Sequence, residues 1–515
     1  MRSCAWVLMY IYVVETLLLV GVVVQGRPVV VADEVCQAGS GCAGESYWSS
    51  RGRNPFAASS TPHVAPADFS SGPTWVWKNE NGEQTRHSPL IDDEKSIYIT
   101  GARRVRKFSP DGALLWLYTM DEGTRTSTSP ALYKSQLYVM SRDDAKKALA
   151  LTTLNLQTGE KTWTKVLENM VSHGDANTIV VYNDTILMPT RDHLDDRPYP
   201  GGSDGNNQMT AVSLNGAILW NYVFDDVIWN FIPTTTGDDD ILVGSQCGGV
   251  WRVKFDGTLM WRGGRRNPGH WCGCGGGVAG PNGIFYSEFN DQEDPRGPGV
   301  IQAIRISDGV LLWEKYFGRF AGWQYPAVGK VGPEGQLAVV AAIGGITGHP
   351  MPPLPRLDLQ PAWFSGLVWY LYLKYSWFRK ILGVPALPNA IVALDPLTGD
   401  ERWRYVEEEW NHYAAKDDEE NIITRLAYHI DGEHICLPDP QGIPLIAGDG
   451  TVYGSSSHNG DLTAIKDSNS NGIIEPAEVS TFKTGKEFLN SPSLAPGMLV
   501  AAPCWGPVYV FKDKK

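Results

Sequence analysis

From residue 74 to the end of the chain, apolar and polar positions alternate in short runs broken by glycine. A period of two predicts strands with one face buried, and the glycines predict tight turns between them. One order recurs: a short strand, a strand of the Ile-Tyr-Ile type, a third ending at a turn glycine, and a fourth carrying tryptophan. Glycine with tryptophan four residues later marks the last step six times, at Gly112/Trp116, Gly159/Trp163, Gly216/Trp220, Gly257/Trp261, Gly309/Trp313 and Gly399/Trp403. Alternating strands lead into each glycine, as in VRKFSPDG and AIVALDPLTG, so each pair predicts a hairpin whose glycine takes a positive φ. Units of about 40 to 50 residues with four strands each cannot bury both faces alone and stack around an axis, which predicts an all-β propeller.

The count of blades is eight. The tryptophan spacing jumps between Trp313 and Trp403 because residues 324–348 supply the inner strands of the sixth unit and 389–399 its third, leaving an insertion at about 349–388. A second insertion falls at about 407–438. The seventh unit begins near Pro444, with Phe482 in the tryptophan position, and the eighth begins at Ser491 but is one strand short at Lys515. Thr74-Trp75-Val76-Trp77 precedes Ser88-Pro89-Leu90 as Trp116 precedes Ser129-Pro130-Ala131, so this strand completes the last blade. Pairing first and last strands closes the ring and hides two sheet edges.

Ala393-Leu394-Asp395-Pro396-Leu397-Thr398-Gly399-Asp400-Glu401-Arg402-Trp403 resembles the repeat of pyrroloquinoline-quinone (PQQ) propellers, and LNLQTGEKTW at 154–163 resembles a second copy. The other four pairs keep only the glycine and the tryptophan. The resemblance spans roughly residues 74–515 and implies an eight-bladed propeller whose tryptophans dock between blades. PQQ dehydrogenases of this kind use a calcium ion, a carboxylate base and a disulfide between adjacent cysteines. No two cysteines are adjacent here, so no catalytic residue is transferred. The nearest pair, Cys272-Gly273-Cys274, reads as reduced or separately paired cysteines in a strand, and Glu288, Asp291, Glu293 and Asp294 read as solvated loop charges. The same resemblance extends to outer-membrane assembly lipoproteins, where the fold binds proteins.

Fifty-five glycines and nineteen tryptophans fit many turns and aromatic strands, and the net charge of −13 opposes nucleic-acid binding. Acidic clusters stand at Asp238 to Asp240, Glu407 to Glu409 and Asp417 to Glu420. Residues 5–24 are apolar apart from Glu15, so residues 1–26 read as an export signal or an uncleaved anchor, placing the chain in a secretory, extracellular, periplasmic or membrane-anchored setting. Residues 27–73, rich in Gly, Ser, Pro and Ala from residue 37, read as a linker in which Cys36 and Cys42 would close a small loop. Asn183-Asp184-Thr185 is a glycosylation triplet.

The sharpest local motif is Asp467-Ser468-Asn469-Ser470-Asn471-Gly472-Ile473-Ile474-Glu475-Pro476-Ala477-Glu478. It matches the twelve-residue EF-hand loop: oxygen side chains at positions 1, 3, 5, 9 and 12, glycine at 6, an aliphatic residue at 8. Asp467, Asn469 and Asn471 would offer side-chain oxygens to Ca²⁺, Ile473 its carbonyl, Glu475 a water-mediated contact and Glu478 both carboxylate oxygens. Strand-like residues flank it instead of helices, so the loop joins two strands of the seventh blade as a structural staple. Residues 361–384 carry thirteen uncharged residues before Lys374, too few to span a bilayer. That segment predicts a helix lying on a membrane surface, docking to a partner, or packing on the propeller's own rim. Taken together these features predict a binding or scaffold module with one calcium site and a protein or small-molecule partner. The alternative is a PQQ- and calcium-dependent alcohol or sugar dehydrogenase.

Overall fold

The computed structural model describes residues 46–85, 87–173, 177–192, 205–265, 272–291, 297–346, 362–412, 415–416 and 441–513. Their strands form eight antiparallel sheets, each a blade of an eight-bladed β-propeller. Blades 1 to 7 begin with innermost strands Leu90–Ile91, Ala131–Tyr133, Val180–Tyr182, Thr234–Thr235, Val278–Ala279, Ala327–Val331 and Leu445–Ile446. Blade 8 takes Ser493–Ala495, Met498–Ala501 and Val508–Lys512 from the C-terminal end and Trp75–Trp77 from the N-terminal side. Trp75 pairs with Val510 and Trp77 with Val508, so the ring closes as the repeat predicts.

Neighbouring blades are joined by the recurrent indole. The outer-strand tryptophan of one blade lies against the hairpin glycine of the next and donates its N–H to a carbonyl in that hairpin. The bonds run from Trp75 to Pro110 (2.8 Å), Trp116 to Leu156 (3.0 Å), Trp220 to Phe255 (2.8 Å), Trp261 to Ile306 (2.9 Å) and Trp313 to Pro396 (3.2 Å). Glycine is needed twice over: Gly159 has φ of +72°, and a Cβ there would fall 2.6 Å from the Trp116 ring. Three joints differ. Gly216 faces Lys165 rather than Trp163, beyond Trp403 blade 7 presents the 467–478 loop in place of a glycine hairpin, and between blades 7 and 8 Phe482 stands in the tryptophan position and packs on Tyr509 and Phe511.

The segment read as a linker is, where described, part of the fold. Trp48 is fully buried and Arg51 only 1% exposed. Its backbone follows the innermost strands around the ring. Trp48 exchanges two hydrogen bonds with Ile91 in blade 1, and the Ser49 carbonyl accepts from Leu132 in blade 2. Pro55 then accepts from Thr235 in blade 4, Ala58 from Val328 in blade 6, Ser59 from Ile446 in blade 7, and Val64 from Gly497 in the first turn of blade 8. Small residues are shared by linkers and by chains that must pass close to a sheet, and here closeness is the reason. A Cβ on Gly448 would fall 1.9 Å from the Pro62 carbonyl oxygen. The apolar run 5–24 and the Cys36/Cys42 pair lie outside the described residues.

Because indole docking joins the blades, Trp116→Ala is expected to cost about 3–5 kcal/mol, and Gly159→Val to lower the denaturation midpoint as well. Urea unfolding checks both, and a midpoint unchanged in either variant contradicts the joint.

Candidate functional site

Along the axis, the residue two places before each innermost strand is, blade by blade, Ser88, Ser129, Thr178, Ile232, Gly276, Tyr325, Ile443 and Ser491. The ring is two-sided. Ile232, Tyr325 and Ile443 pack on Ala57 of the N-terminal segment, while Ser88, Ser129, Thr178 and Ser491 bring buried hydroxyls to the opposite side. Ser129 meets His87 Nδ1 at 3.3 Å, and the Arg51 guanidinium donates to Gln324 Oε1 at 3.0 Å from within the N-terminal segment, which forms a plug. The N-terminal segment thus closes the axis on the face that carries the glycine hairpins. The insertions and long connections emerge on the other, the loop face.

There the turn between strands Asp240–Gly244 and Gly249–Lys254 of blade 4 is tied to the connection entering blade 5 by a Cys247–Cys272 disulfide. Cys272 and Cys274 lie in that connection rather than in a strand, and pairing is separate; Cys274 is buried outside this bond. Cys504 is disulfide-bonded too. The Asn290 amide donates to the carbonyls of Cys272 (2.8 Å) and Gly322 (2.9 Å), holding the loop down. Glu288, expected as a solvated charge, sits within strand Ile284–Asn290 at 2% exposure, because the sheet position and the covering loop are both set by distant residues. Asp291 pairs with Arg265, and Glu293 and Asp294 lie outside the described residues.

A second buried group escaped the sequence. Glu407, first of the acidic run 407–409, is buried where the outer strand of blade 6 ends. Asn389 and Gln441 each donate to its carboxylate at 2.7 Å, and burial pushes its pKa up to about 7. Nearby, His458 is 1% exposed and meets the Gly345 carbonyl at 2.7 Å, and burial lowers its pKa to about 4. An acidic run signals solvent, and only the fold reveals that its first member turns inward.

The 467–478 loop forms a tight knot on the hairpin face. Asp467 accepts from the amides of Asn471 (3.1 Å) and Gly472 (3.0 Å), Asn469 from that of Asn471 (3.0 Å), and Asn471 from that of Ile473 (2.7 Å). Gly472 has φ of +76°. Glu478 returns across the loop to accept from the Ser468 amide and hydroxyl (2.7 and 2.6 Å), and shares a reciprocal capping box with Glu475. Among the described residues no group of three or more His, Cys, Asp or Glu side chains is gathered at metal-binding spacing, and this loop offers Asn oxygens alongside its carboxylates.

The aromatic insertion is helical, as α1 (Ala362–Lys374) and α2 (Ser376–Ile381). One side is anchored: Tyr372 is buried, Arg379 donates to its carbonyl (2.7 Å) and to Asn411 (3.1 Å), and Tyr372 contacts His412, which stacks on Trp410. The other is bare. Trp363 is 72% exposed and Ile381 71%, with Phe364, Leu367, Tyr370 and Trp377 beside them. No helix among the described residues is long and apolar enough to cross a membrane.

A sequence profile for the outer membrane protein assembly factor BamB matches residues 64–227. Among solved structures, BamB from Moraxella catarrhalis is 12% identical, with 86% of this chain and 99% of that one aligned and a TM-score of 0.50. Quinohemoprotein alcohol dehydrogenase from Comamonas testosteroni is 13% identical, with 94% of this chain and 83% of that one aligned and a TM-score of 0.56. These likenesses establish the PQQ-repeat propeller fold, which serves unrelated functions. Comparison with the curated proteins finds no match.

The two buried groups give opposite pH dependences. Folded Glu407 keeps a proton that the unfolded chain, with its ordinary value of 4.5, releases, so its contribution to stability falls as pH rises from about 4.5 to 7. Folded His458 stays neutral where the unfolded imidazole, at 6.5, binds a proton, so its contribution rises from about pH 4 to 6.5. Glu407→Gln is expected to unmask the histidine: its melting temperature climbs more steeply than the parent's between pH 4 and 6.5. Parallel curves would contradict this.

Proposed function

We propose that this eight-bladed PQQ-repeat propeller is a non-catalytic binding scaffold in an exported or membrane-facing setting, stapled by one calcium ion in the 467–478 loop. The observation that carries this reading is the plug. The chain's own residues 48–64 occupy the end of the axis, so the molecule presents its loop face and rim as binding surfaces. The match of residues 64–227 to the assembly-factor profile supports the same reading and its envelope setting.

A PQQ- and calcium-dependent dehydrogenase is the rival, and Glu288 and Asn290 near the Cys247–Cys272 disulfide speak for it. The residues do not fit the cofactor, because that disulfide joins cysteines 25 positions apart rather than adjacent ones. For calcium the donor set fits. Asp467, Asn469, Asn471 and Glu478 bring hard oxygens into one turn, and a bound ion would supply charge balance and rigidity. Titration of the purified protein separates the readings. Calcium alone is expected to raise the melting temperature, by about 2.7 kcal/mol of stabilisation at a hundredfold excess over Kd, and Asp467→Ala or Glu478→Ala to remove the effect. PQQ added with calcium is expected to remain free and to support no dye reduction with alcohols or sugars. Stoichiometric quinone binding with turnover would overturn the scaffold reading, and calcium without thermal effect would overturn the staple.

The helical insertion, residues 361–384, gives the scaffold its membrane contact in this proposal. It places Trp, Tyr, Phe and Leu side chains beside Lys374 and Lys380 in a segment with no carboxylate, on a chain that is otherwise strongly acidic. That combination suits the headgroup layer of an anionic bilayer. Sedimentation with phosphatidylserine-containing vesicles is expected to carry down the full chain and to lose it when 361–384 is replaced by a short Gly/Ser linker. Equal pelleting of the two contradicts the contact.

A further inference from the structure

We propose that the hairpin face carries a second binding site, a cavity that takes an amphipathic monocarboxylate between the N-terminal segment and blades 4 to 7. The cavity arises from the path of the plug. Pro55 bonds to blade 4 and Ala58 to blade 6, and among the described residues no backbone hydrogen bond joins the segment to the innermost strand of blade 5. The chain therefore arches over that blade. Beneath the arch lies a space of about 350 Å³, within the range of small-molecule sites.

The arch is held from within. The Ser59 amide donates to the Gly52 carbonyl (3.1 Å), and Arg53 Nη1 to the Ser60 carbonyl (2.7 Å). Arg53, Ala57 and Ser59 adopt φ of 84°, 51° and 48°, a left-handed conformation that L-residues keep only where their surroundings fix it. Such a loop is a preformed wall rather than a segment that must order on binding.

The lining defines the ligand. Phe56, Val328, Leu337 and Ile446 supply apolar walls, Arg53 and Lys330 are the charged groups, and no carboxylate lines the space. Two cations without an acid stand out on a chain of net charge −13. An apolar chain would displace water from the walls, and its carboxylate would accept charge-assisted hydrogen bonds from the two cations. Octylammonium would meet like charge, and octanol would lack the ionic contact.

Calorimetry and thermal shift on the full chain, with sodium octanoate, octanol and octylammonium as probes, test the site. Octanoate is expected to bind and raise the melting temperature, at least about tenfold more tightly than octylammonium. Lys330→Glu, at an exposed position, is expected to keep the parent's melting temperature and to weaken octanoate about tenfold or more. Ala279→Phe, which fills the cavity from blade 5, is expected to block octanoate and octanol alike. Absence of octanoate binding at millimolar concentration, equal affinity for octylammonium, or octanoate binding unchanged in Lys330→Glu would each overturn the proposal.

Discussion

An indole N–H reaching a carbonyl one blade away is the contact on which the ring depends. A four-stranded sheet with two apolar faces has no stable existence alone, and hydrophobic burial between blades has no direction of its own. Direction comes from the tryptophan. Its flat ring covers a glycine that has no Cβ, and its single donor finds the hairpin carbonyl, so each of the five pairs of blades joined in this way has one register. Trp75 makes the same contact across the seam, from the last blade onto Pro110 of the first, and closure thereby repeats the local rule.

Closure has a second layer. The N-terminal segment runs once around the ring, bonded to blades 1, 2, 4, 6, 7 and 8, before its continuation becomes the outer strand of blade 8. The axis is thereby stopped on the hairpin face, and access to it is left to the loop face, where the disulfide, the buried Glu288 and Glu407, and the helical insertion all lie. Structure and access come from one stretch of chain, and the functional proposal follows from that economy: a propeller plugged by its own chain presents surfaces rather than a through-channel.

The repeat was legible because its chemistry is local. A hairpin that needs positive φ asks for glycine, and the indole that covers the next hairpin recurs at a fixed offset. The tight turn at 467–478 is legible for the same reason, since Asp467 to Glu478 meet one another within twelve positions. Arg51, Glu288 and Glu407 were not legible. Arg51 lies in a stretch whose composition matches a linker, and its partner Gln324 is 273 positions away. Glu407 takes its meaning from Asn389 and Gln441, 18 and 34 positions distant, and its own neighbours in sequence point toward solvent. Burial of a charged group depends on residues that no local pattern contains.

Hydrogen exchange at the seam tests the closed ring most directly. If Trp75–Trp77 is the fourth strand of blade 8, its ladder-bonded amides exchange as slowly as those of the outer strand of blade 7, Val479–Lys483, and the amides of Val508–Lys512 as slowly as those of the third strand, Asp461–Ile465. Exchange of Trp75–Trp77 at the rate of a free terminus, with blade 7 still protected, would show an open ring and contradict the account.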